Sequence, residues 1–175
     1  MFSQPDKNID QFHVDPGMSV ADLGSGSGFY TIALAKKVGS AGRVYSIDVQ
    51  KELLSKIQNE ARNQGVHNIK LIWGDLNAKK GSNLLDSFVD RVVVANLLFQ
   101  VEDKDEVIEE AYRILKPKGK LLFVDWRDSF GGLGPQPKDI VKPDVARVLF
   151  EENGFEFEKE IMAGDHHYGF VFKKK

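Results

Sequence analysis

The sequence has no cysteine among its 175 residues, which excludes disulfide bonds, a thiolate zinc site and a cysteine nucleophile. It also lacks any apolar run near the roughly 18 residues that a membrane-spanning helix needs. Neither sign of charge dominates, because 24 Lys and Arg face 26 Asp and Glu, and this balance argues against binding nucleic acid through bulk electrostatics. The first ten residues, MFSQPDKNID, contain no apolar stretch typical of a secretory signal. We therefore expect a cytoplasmic protein without a membrane span.

The chain length is typical of one domain, since domains usually have roughly 100–200 residues. Hydrophobic residues make up 42% of the sequence, enough to form a core. We predict a single domain over residues 1–175, with a short N-terminal segment over 1–17 in which residues 5–12 form one short helix.

Short apolar stretches typical of buried strands alternate with stretches of helical periodicity. The predicted strands are 19–23, 43–47, 69–73, 91–95, 120–124, 155–161 and 168–172. The predicted helices are 29–38, 51–64, a segment from Asp103 to just before Pro117, and 144–153. Such an alternation, with crossover helices, predicts a three-layer α/β sandwich with a mostly parallel sheet. The last two strands are too close in sequence for a crossover, so the last one should run antiparallel.

A glycine-rich loop follows the first predicted strand in the sequence ADLGSGSGF, with Gly24, Gly26 and Gly28 at alternate positions. Alternate glycines let the backbone turn tightly and let a ligand approach it closely. The sixth place of the dinucleotide fingerprint is Phe29 instead of glycine, and the Gly-Lys-Ser/Thr of a P-loop is missing. Taken alone, the loop leaves a dinucleotide, a phosphate or another adenosine ligand open.

Polar residues also occur where the predicted strands end. Asp22 lies at the end of the first strand, Asp48 follows the second, and Asp75 follows Gly74 after the third. Each acid alone could be a helix cap or a turn residue. Together, three carboxylates at the ligand-binding edge of a parallel sheet favour a positively charged ligand over a pyrophosphate.

Four motifs in order, ADLGSGSG, YSIDVQ, GDL and LKPKGKLLFVDW, resemble those of a class I S-adenosylmethionine-dependent methyltransferase. The similarity runs from about Val14 to the C-terminus and is closest to ubiquinone/menaquinone-type and other small-molecule methyltransferases. It implies a Rossmann-like, seven-stranded fold and S-adenosylmethionine as cofactor.

The resemblance also implies a role for each motif residue. The loop would cradle the methionine part of the cofactor, Asp22 would lie near its ammonium group, and Asp48 would bind the ribose hydroxyls. Asp75 would accept a hydrogen bond from the adenine amino group. The cofactor-binding residues implied in this way are Asp22, Gly24, Ser25, Gly26, Ser27, Gly28, Asp48, Val49, Gly74, Asp75, Leu76, Asn96 and Leu97.

Catalytic residues are harder to predict, because methyl transfer from a sulfonium needs no acid and gains much of its rate from alignment of the acceptor. The weak candidates are Asp125 after the fifth strand and His166 and His167 in the last turn. Such a histidine could act as a base or a metal ligand, although a partly exposed turn residue is the simpler interpretation. We predict no metal site.

The predicted acceptor is a small molecule. Asn96-Leu97-Leu98-Phe99 lacks the two prolines of enzymes that methylate base amines, no basic stripe favours RNA, and arsenite methyltransferases depend on cysteines. An RNA or protein methyltransferase, a non-catalytic cofactor binder and a nicotinamide-dependent oxidoreductase remain alternatives. Because the N-terminal segment is short, we expect an open site that takes a bulky acceptor or is covered by a second subunit, as in a homodimer.

Overall fold

The computed structural model describes residues 4–175. Its helices are α1 (Pro5–Asp10), α2 (Phe29–Val38), α3 (Lys51–Asn63), α4 (Lys104–Ile114) and α5 (Pro143–Glu152). Its strands are β1 (Ser19–Leu23), β2 (Arg43–Asp48), β3 (Ile69–Trp73), β4 (Val89–Ala95), β5 (Leu115–Trp126), β6 (Phe155–Ile161) and β7 (His167–Lys174). Two short 3₁₀ helices cover Leu98–Gln100 and Pro137–Asp139. Within these residues, no helix has the length and hydrophobicity needed to span a membrane.

The strands form one seven-stranded sheet in the order β3-β2-β1-β4-β5-β7-β6. Strands β1 to β5 are parallel to one another, and β7 is antiparallel to both β5 and β6, which confirms the predicted sheet. The strand order reverses between β1 and β4, and Leu23 at the end of β1 pairs with Ile47 of β2 and Val94 of β4. The three strands therefore end level with one another, where a crevice for a ligand is expected.

Both faces of the sheet are apolar because each central strand is a nearly continuous run of hydrophobic residues. Alternate residues such as Val20, Val93 and Val124 pack on one side with residues of α1 and α2. Their neighbours pack on the other side in a cluster with α4 and α5, where Phe150 stacks on Phe172 with ring centroids 4.5 Å apart. These two clusters form the predicted three-layer sandwich.

The connection from β3 to β4 contains no helix, in agreement with the sequence, in which no helix was predicted between these two strands. Residues 74–88 form a loop without a helix. The loop folds tightly enough that a Cβ on Gly81 would lie 1.8 Å from the Asp75 carbonyl oxygen. Leu76 and Leu84 bury their side chains in the cluster shared with α4, so the loop is packed in spite of its irregular backbone.

The side chain of Glu110 in α4 anchors this loop through hydrogen bonds. Its carboxylate is 3% exposed and accepts hydrogen bonds from the Ser82 backbone N–H and hydroxyl and from the Arg113 guanidinium. Burial opposes ionisation, but the hydrogen bonds from Arg113 and Ser82 outweigh it and lower the pKa of Glu110. Arg113 also donates to the Leu84 carbonyl oxygen and to the Asp86 carboxylate.

We expect Glu110→Ala to lower the free energy of unfolding by about 2–4 kcal/mol, because it leaves buried donors of Ser82 and Arg113 without their acceptor. Urea denaturation measures this change. The control is the exposed neighbour Glu109, whose replacement by alanine should change stability by less than about 0.5 kcal/mol. Equal stability of the two variants would show that Glu110 does not anchor the loop.

Candidate functional site

Two adjoining cavities lie at the carboxyl ends of the central strands. The first has a volume of about 660 Å³ and is lined by residues of α1, of the loop after β1, of the start of α2 and of the end of β4. The second, of about 340 Å³, is lined by the ends of β2 and β3 and by residues after β4. Gly24, Gly26, Ser27 and Gln100 line both. The two cavities therefore meet at the glycine-rich loop, as expected for an elongated ligand.

Hydrogen bonds to the end of β2 shape the glycine-rich loop. The backbone N–H groups of Gly24 and Ser25 both donate to the Ile47 carbonyl oxygen, at 2.9 and 3.0 Å. The Gly26 N–H donates to Asp48 Oδ2 at 2.8 Å. Gly24 has φ +70°, and a Cβ there would lie 2.7 Å from Leu97 Cδ1, so both the backbone and the close approach of Leu97 require glycine.

Gly28 lies at the end of the loop but lines neither of the two cavities. It is the N-cap residue of α2, with φ +82°, and a Cβ there would lie 2.5 Å from Ile57 Cγ1 of α3. Its lack of a side chain lets α2 and α3 pack closely. Phe29 follows it with 73% of its surface exposed at the mouth of the first cavity, so it leaves the loop uncrowded.

Asp22 is the most buried acid of the site, with 2% exposure, and it lines the first cavity. Burial raises the pKa of its carboxyl to about 7; the Thr31 hydroxyl, which donates to Oδ2 at 2.6 Å, opposes this rise, and the charge of Asp48 adds to it. Thr31 also contacts Ser46 Oγ at 3.2 Å. No cation of the described chain pairs with Asp22, so a cationic ligand would stabilise its ionised form.

Asp48 ends β2 and lines the second cavity. Besides the bond from Gly26, its carboxylate accepts the Gln50 N–H on Oδ1 at 2.8 Å. The side chain therefore joins the glycine-rich loop to the start of α3. Each carboxylate oxygen can accept a second hydrogen bond, so these contacts leave capacity for ligand hydroxyls.

Gly74, Asp75, Leu76 and Val49 all line the second cavity. Asp75 Oδ1 accepts the Asn77 N–H at 3.0 Å in a local turn, which leaves its other oxygen without a protein donor. Val49 is 51% exposed, and the Trp73 indole N–H donates to its carbonyl oxygen at 2.9 Å. The second cavity thus combines hydrogen-bond acceptors with apolar surfaces.

Asn96 and Leu97 follow β4 and are divided between the cavities, with Asn96 in the first and Leu97 in the second. Asn96 has φ 54°, and its backbone N–H donates to the Val124 carbonyl oxygen at 2.8 Å. Its side-chain Oδ1 and the Ser25 hydroxyl are buried without a hydrogen-bond partner. Buried polar atoms usually have partners, so these two atoms are available for hydrogen bonds to a polar ligand in the first cavity.

Sequence reasoning did not assign the residues of α1 that line the first cavity, Gln4, Pro5, Asp6 and Lys7. The Asn8 amide donates to the Tyr30 hydroxyl at 2.7 Å in a buried contact that fixes α1 against α2. This helix forms a wall of the site despite the short N-terminal segment. The available signal was the helical spacing of the apolar residues Ile9 and Phe12 after Pro5.

Gln100 was not among the cofactor-binding residues expected from the sequence; the segment 97–101 was expected only at the rim of the acceptor site. Gln100 ends the 3₁₀ helix after β4, lines both cavities, and its Nε2 donates to the Asn96 carbonyl oxygen at 2.7 Å. Its position depends on the turn that Asn96 makes with positive φ, which no periodicity in the sequence indicates.

The three weak catalytic candidates, Asp125, His166 and His167, line neither cavity. Burial raises the pKa of Asp125 to about 7. The backbone N–H groups of Trp126, Leu98 and Phe99 lower this pKa but do not outweigh the effect of burial. Its Oδ1 accepts the Trp126 N–H at 2.8 Å, while Oδ2 is buried without a partner. Asp125 therefore lies close to the first residues of the 3₁₀ helix that carries Gln100.

The two histidines have different surroundings. His166 Nδ1 lies 2.7 Å from Asp128 Oδ1, and its ring stacks on Phe130 with centroids 4.3 Å apart. His167, expected to be a partly exposed turn residue, is only 3% exposed and packs against Trp126. Burial lowers the pKa of His167 to about 4, the charge of His166 adds to this, and Asp128 opposes it, so the ring is neutral near pH 7. Among residues 4–175, no group of His, Asp and Glu side chains is arranged to hold a metal ion.

The arrangement can bind a ligand that has a positive group at one end and a nucleoside at the other. Asp22 and the unpartnered Asn96 oxygen provide acceptors for an ammonium group in the first cavity. Asp48 and Asp75 provide acceptors for ribose hydroxyls and an amino group in the second. S-adenosylmethionine has all of these groups, so the residues present are compatible with it.

Comparison with known proteins also indicates a methyltransferase. The profile of a family described as a methyltransferase domain matches residues 14–156. The Ubiquinone/menaquinone biosynthesis C-methyltransferase UbiE of Legionella pneumophila is 33% identical over 129 residues, which are 73% of this chain and 50% of that protein. An arsenite methyltransferase of Aquipseudomonas alcaligenes is 38% identical over 114 residues, 62% of this chain and 33% of that protein. The chain thus spans half or less of the length of these curated relatives.

The solved structures agree with the fold. A SAM-dependent methyltransferase from Aquifex aeolicus has a TM-score of 0.88 at 27% identity, covering 98% of this chain and 90% of that one. The cyclase SpnF has a TM-score of 0.81 at 16% identity, covering 97% of this chain and 79% of that one, and shows the fold alone. The resemblance noted in the sequence is confirmed: this chain belongs to the methyltransferase domain family and is of the class I, S-adenosylmethionine-dependent type.

Proposed function

We propose that this chain binds S-adenosylmethionine across the two adjoining cavities and transfers its methyl group to a small organic molecule. The observation that carries the proposal is the buried Asp22, which lines the first cavity and forms no ion pair with a cation among residues 4–175. A protein that keeps an uncompensated acid in a cavity pays for it in stability unless a ligand supplies the positive charge.

Each part of the cofactor has a matching part of the site. Asp22 and Asn96 Oδ1 would accept the ammonium N–H groups, and the Ser25 hydroxyl would donate to the carboxylate. Asp48 would accept the ribose hydroxyls, and Asp75 the adenine amino group. Val49 and Leu76 would contact the two faces of the adenine ring, and Gly74 would lie beneath the base. The centre of the molecule would be enclosed by Gly24, Gly26, Ser27 and Leu97.

When bound, S-adenosylmethionine supplies a methyl group on a positively charged sulfur that departs as a neutral thioether. The chain's own contribution is to orient both reactants and exclude water, since alignment alone accelerates a displacement strongly. The first cavity continues past the loop between α1 and the rings of Phe29 and Tyr30, and we assign the acceptor to that part. A base is needed only for an acceptor that must lose a proton, and the neutral His167 lies outside the cavity.

The acceptor atom is carbon, oxygen or nitrogen in this proposal. The relatives by name include a quinone-biosynthesis C-methyltransferase and an arsenite methyltransferase. Arsenic chemistry depends on thiolates, and this chain contributes no cysteine. Three expectations stay predictions from the sequence: that a small molecule is favoured over nucleic acid as acceptor, that the chain can form a homodimer, and that it is cytoplasmic.

Calorimetric titration with S-adenosylmethionine and S-adenosylhomocysteine, followed by an acceptor screen with radiolabelled methyl donor, tests the proposal. We expect micromolar binding of both ligands, about −8 kcal/mol, and label transfer to a small acceptor. Label transfer to RNA that falls steeply with salt would favour the RNA alternative. Binding without transfer to any acceptor class would favour a non-catalytic binder, and NAD binding in place of either ligand would refute the assignment of the cavities.

Asp48→Ala should weaken S-adenosylhomocysteine binding about tenfold or more, because two ribose hydroxyls lose a charged acceptor. Asp48 also braces the glycine-rich loop, so the two effects must be separated. Calorimetry with S-adenosylhomocysteine and with its 2′-deoxy analogue does this, because only the first ligand has both ribose hydroxyls. The wild type should prefer the ribose form, and the variant should show little preference. The control is Asp15→Ala, an exposed residue in the turn before β1, which should bind both ligands like the wild type. An equal loss for both ligands in Asp48→Ala would contradict the ribose role.

Cofactor affinity should depend on pH through Asp22. Because its pKa is raised to about 7, the acid is increasingly protonated below that pH, and the ammonium loses its charged partner. We expect S-adenosylhomocysteine affinity to fall between pH 7 and 5.5, approaching about tenfold per pH unit. Titrations in buffers of different ionisation enthalpy should show proton release on binding at pH 6.5.

The control for this pH dependence is Asp22→Asn, which should bind S-adenosylhomocysteine weakly, with an affinity that does not change between pH 7 and 5.5. The variant should also melt at a higher temperature than the ligand-free wild type at pH 8. The raised folded-state pKa means that wild-type stability is lost as pH rises from about 4 to about 7, and the amide avoids this loss. A steep pH dependence that survives in Asp22→Asn would assign the titration to another group.

A further inference from the structure

Gln100 occupies the junction of the two cavities. Among the residues that line both, Gly24, Gly26 and Ser27 belong to the glycine-rich loop, and Gln100 faces them from the other wall. The proposed function places the methionine tail in one cavity and adenosine in the other. The cofactor sulfur, which joins these two parts, then belongs at the junction.

The hydrogen bond to Asn96 fixes which end of the Gln100 amide is engaged with the protein. The Asn96 carbonyl oxygen can only accept, so the group 2.7 Å from it must be the Nε2 amine. The side-chain Oε1 is therefore turned away from that carbonyl, and it has no protein donor among residues 4–175. An amide oxygen carries a partial negative charge, and a neutral oxygen of this kind can stabilise a cation without becoming a nucleophile.

Contacts with β5 hold the loop that carries Gln100 in place. The Asn96 N–H bonds to Val124 of β5, and the Asp125 carboxylate lies beneath the Leu98 and Phe99 N–H groups at the start of the 3₁₀ helix. Leu98 is fully buried. The exposed Gln100 side chain thus projects from a fixed turn, which is the condition for preorganised electrostatic contact.

We propose that Gln100 is a positioning residue whose side-chain Oε1 faces the positively charged sulfur and methyl group, so that the site prefers the methyl donor to its neutral product. The inference rests on the proposed function and deepens it. Such a preference helps turnover, because the thioether product loses an attraction that the sulfonium had and leaves more readily.

The test measures the dissociation constants of S-adenosylmethionine and S-adenosylhomocysteine by calorimetry and uses their ratio, which needs no acceptor. Gln100→Met has a similar length but neither amide atom, and it should reduce the preference for the sulfonium ligand by about threefold. Gln100→Lys keeps a donor for the Asn96 carbonyl, removes the acceptor and adds a positive charge. It should reduce the preference further, by about fivefold or more at low salt.

The matched control is Gln50→Met, a second exposed glutamine that lines only the second cavity, at the adenosine end. It should change both affinities by the same factor. If Gln100 only braces the turn, Gln100→Met will weaken both ligands by the same factor, which overturns the inference while leaving the proposed function intact; Gln100→Lys tests only whether position 100 lies near the positive charge. If neither ligand binds the wild-type chain, the proposed function itself has failed.

Discussion

The hydrogen bond from the Gly26 N–H to the Asp48 carboxylate connects the two elements on which the site is built. It joins the loop after β1 to the end of β2, next to the bonds that Gly24 and Ser25 make with the Ile47 carbonyl oxygen. These contacts select one conformation from the many that the glycines of the loop allow. The two cavities thus share one anchor, and a change at Asp48 should disturb both of them.

The remaining walls depend on this anchor only indirectly. The turn of Asn96 and Leu97 fits over Gly24, so the close approach of loop and turn sets the width of the site. The loop after β3 reaches the same edge through the Glu110 contacts with Ser82. Parallel strands that end level bring these separate segments together, which explains why residues 22, 48, 75 and 96 are neighbours in space.

Much of this arrangement could be predicted from the sequence because its causes are local. The apolar runs of β1, β3 and β6 were predicted with the bounds that the structure has, and the glycine spacing after β1 indicated the ligand loop. The predictions missed what depends on contacts distant in sequence. No local pattern shows that residues 74–88 form a loop held by Glu110. The burial of His167 by Trp126 and the placement of Gln100 at the junction arise from tertiary packing, as does the role of α1 as a wall.

The burial of Asp22 ties the persistence of the folded chain to the supply of its methyl donor. At neutral pH the ligand-free molecule carries an almost fully buried ionisable group that no cation among residues 4–175 compensates. A bound ammonium removes that penalty, and any ligand that binds only the folded state adds its own mass-action stabilisation. Chains in a cell short of the donor would therefore unfold more often and be degraded sooner, so enzyme abundance would follow donor concentration without a dedicated regulator.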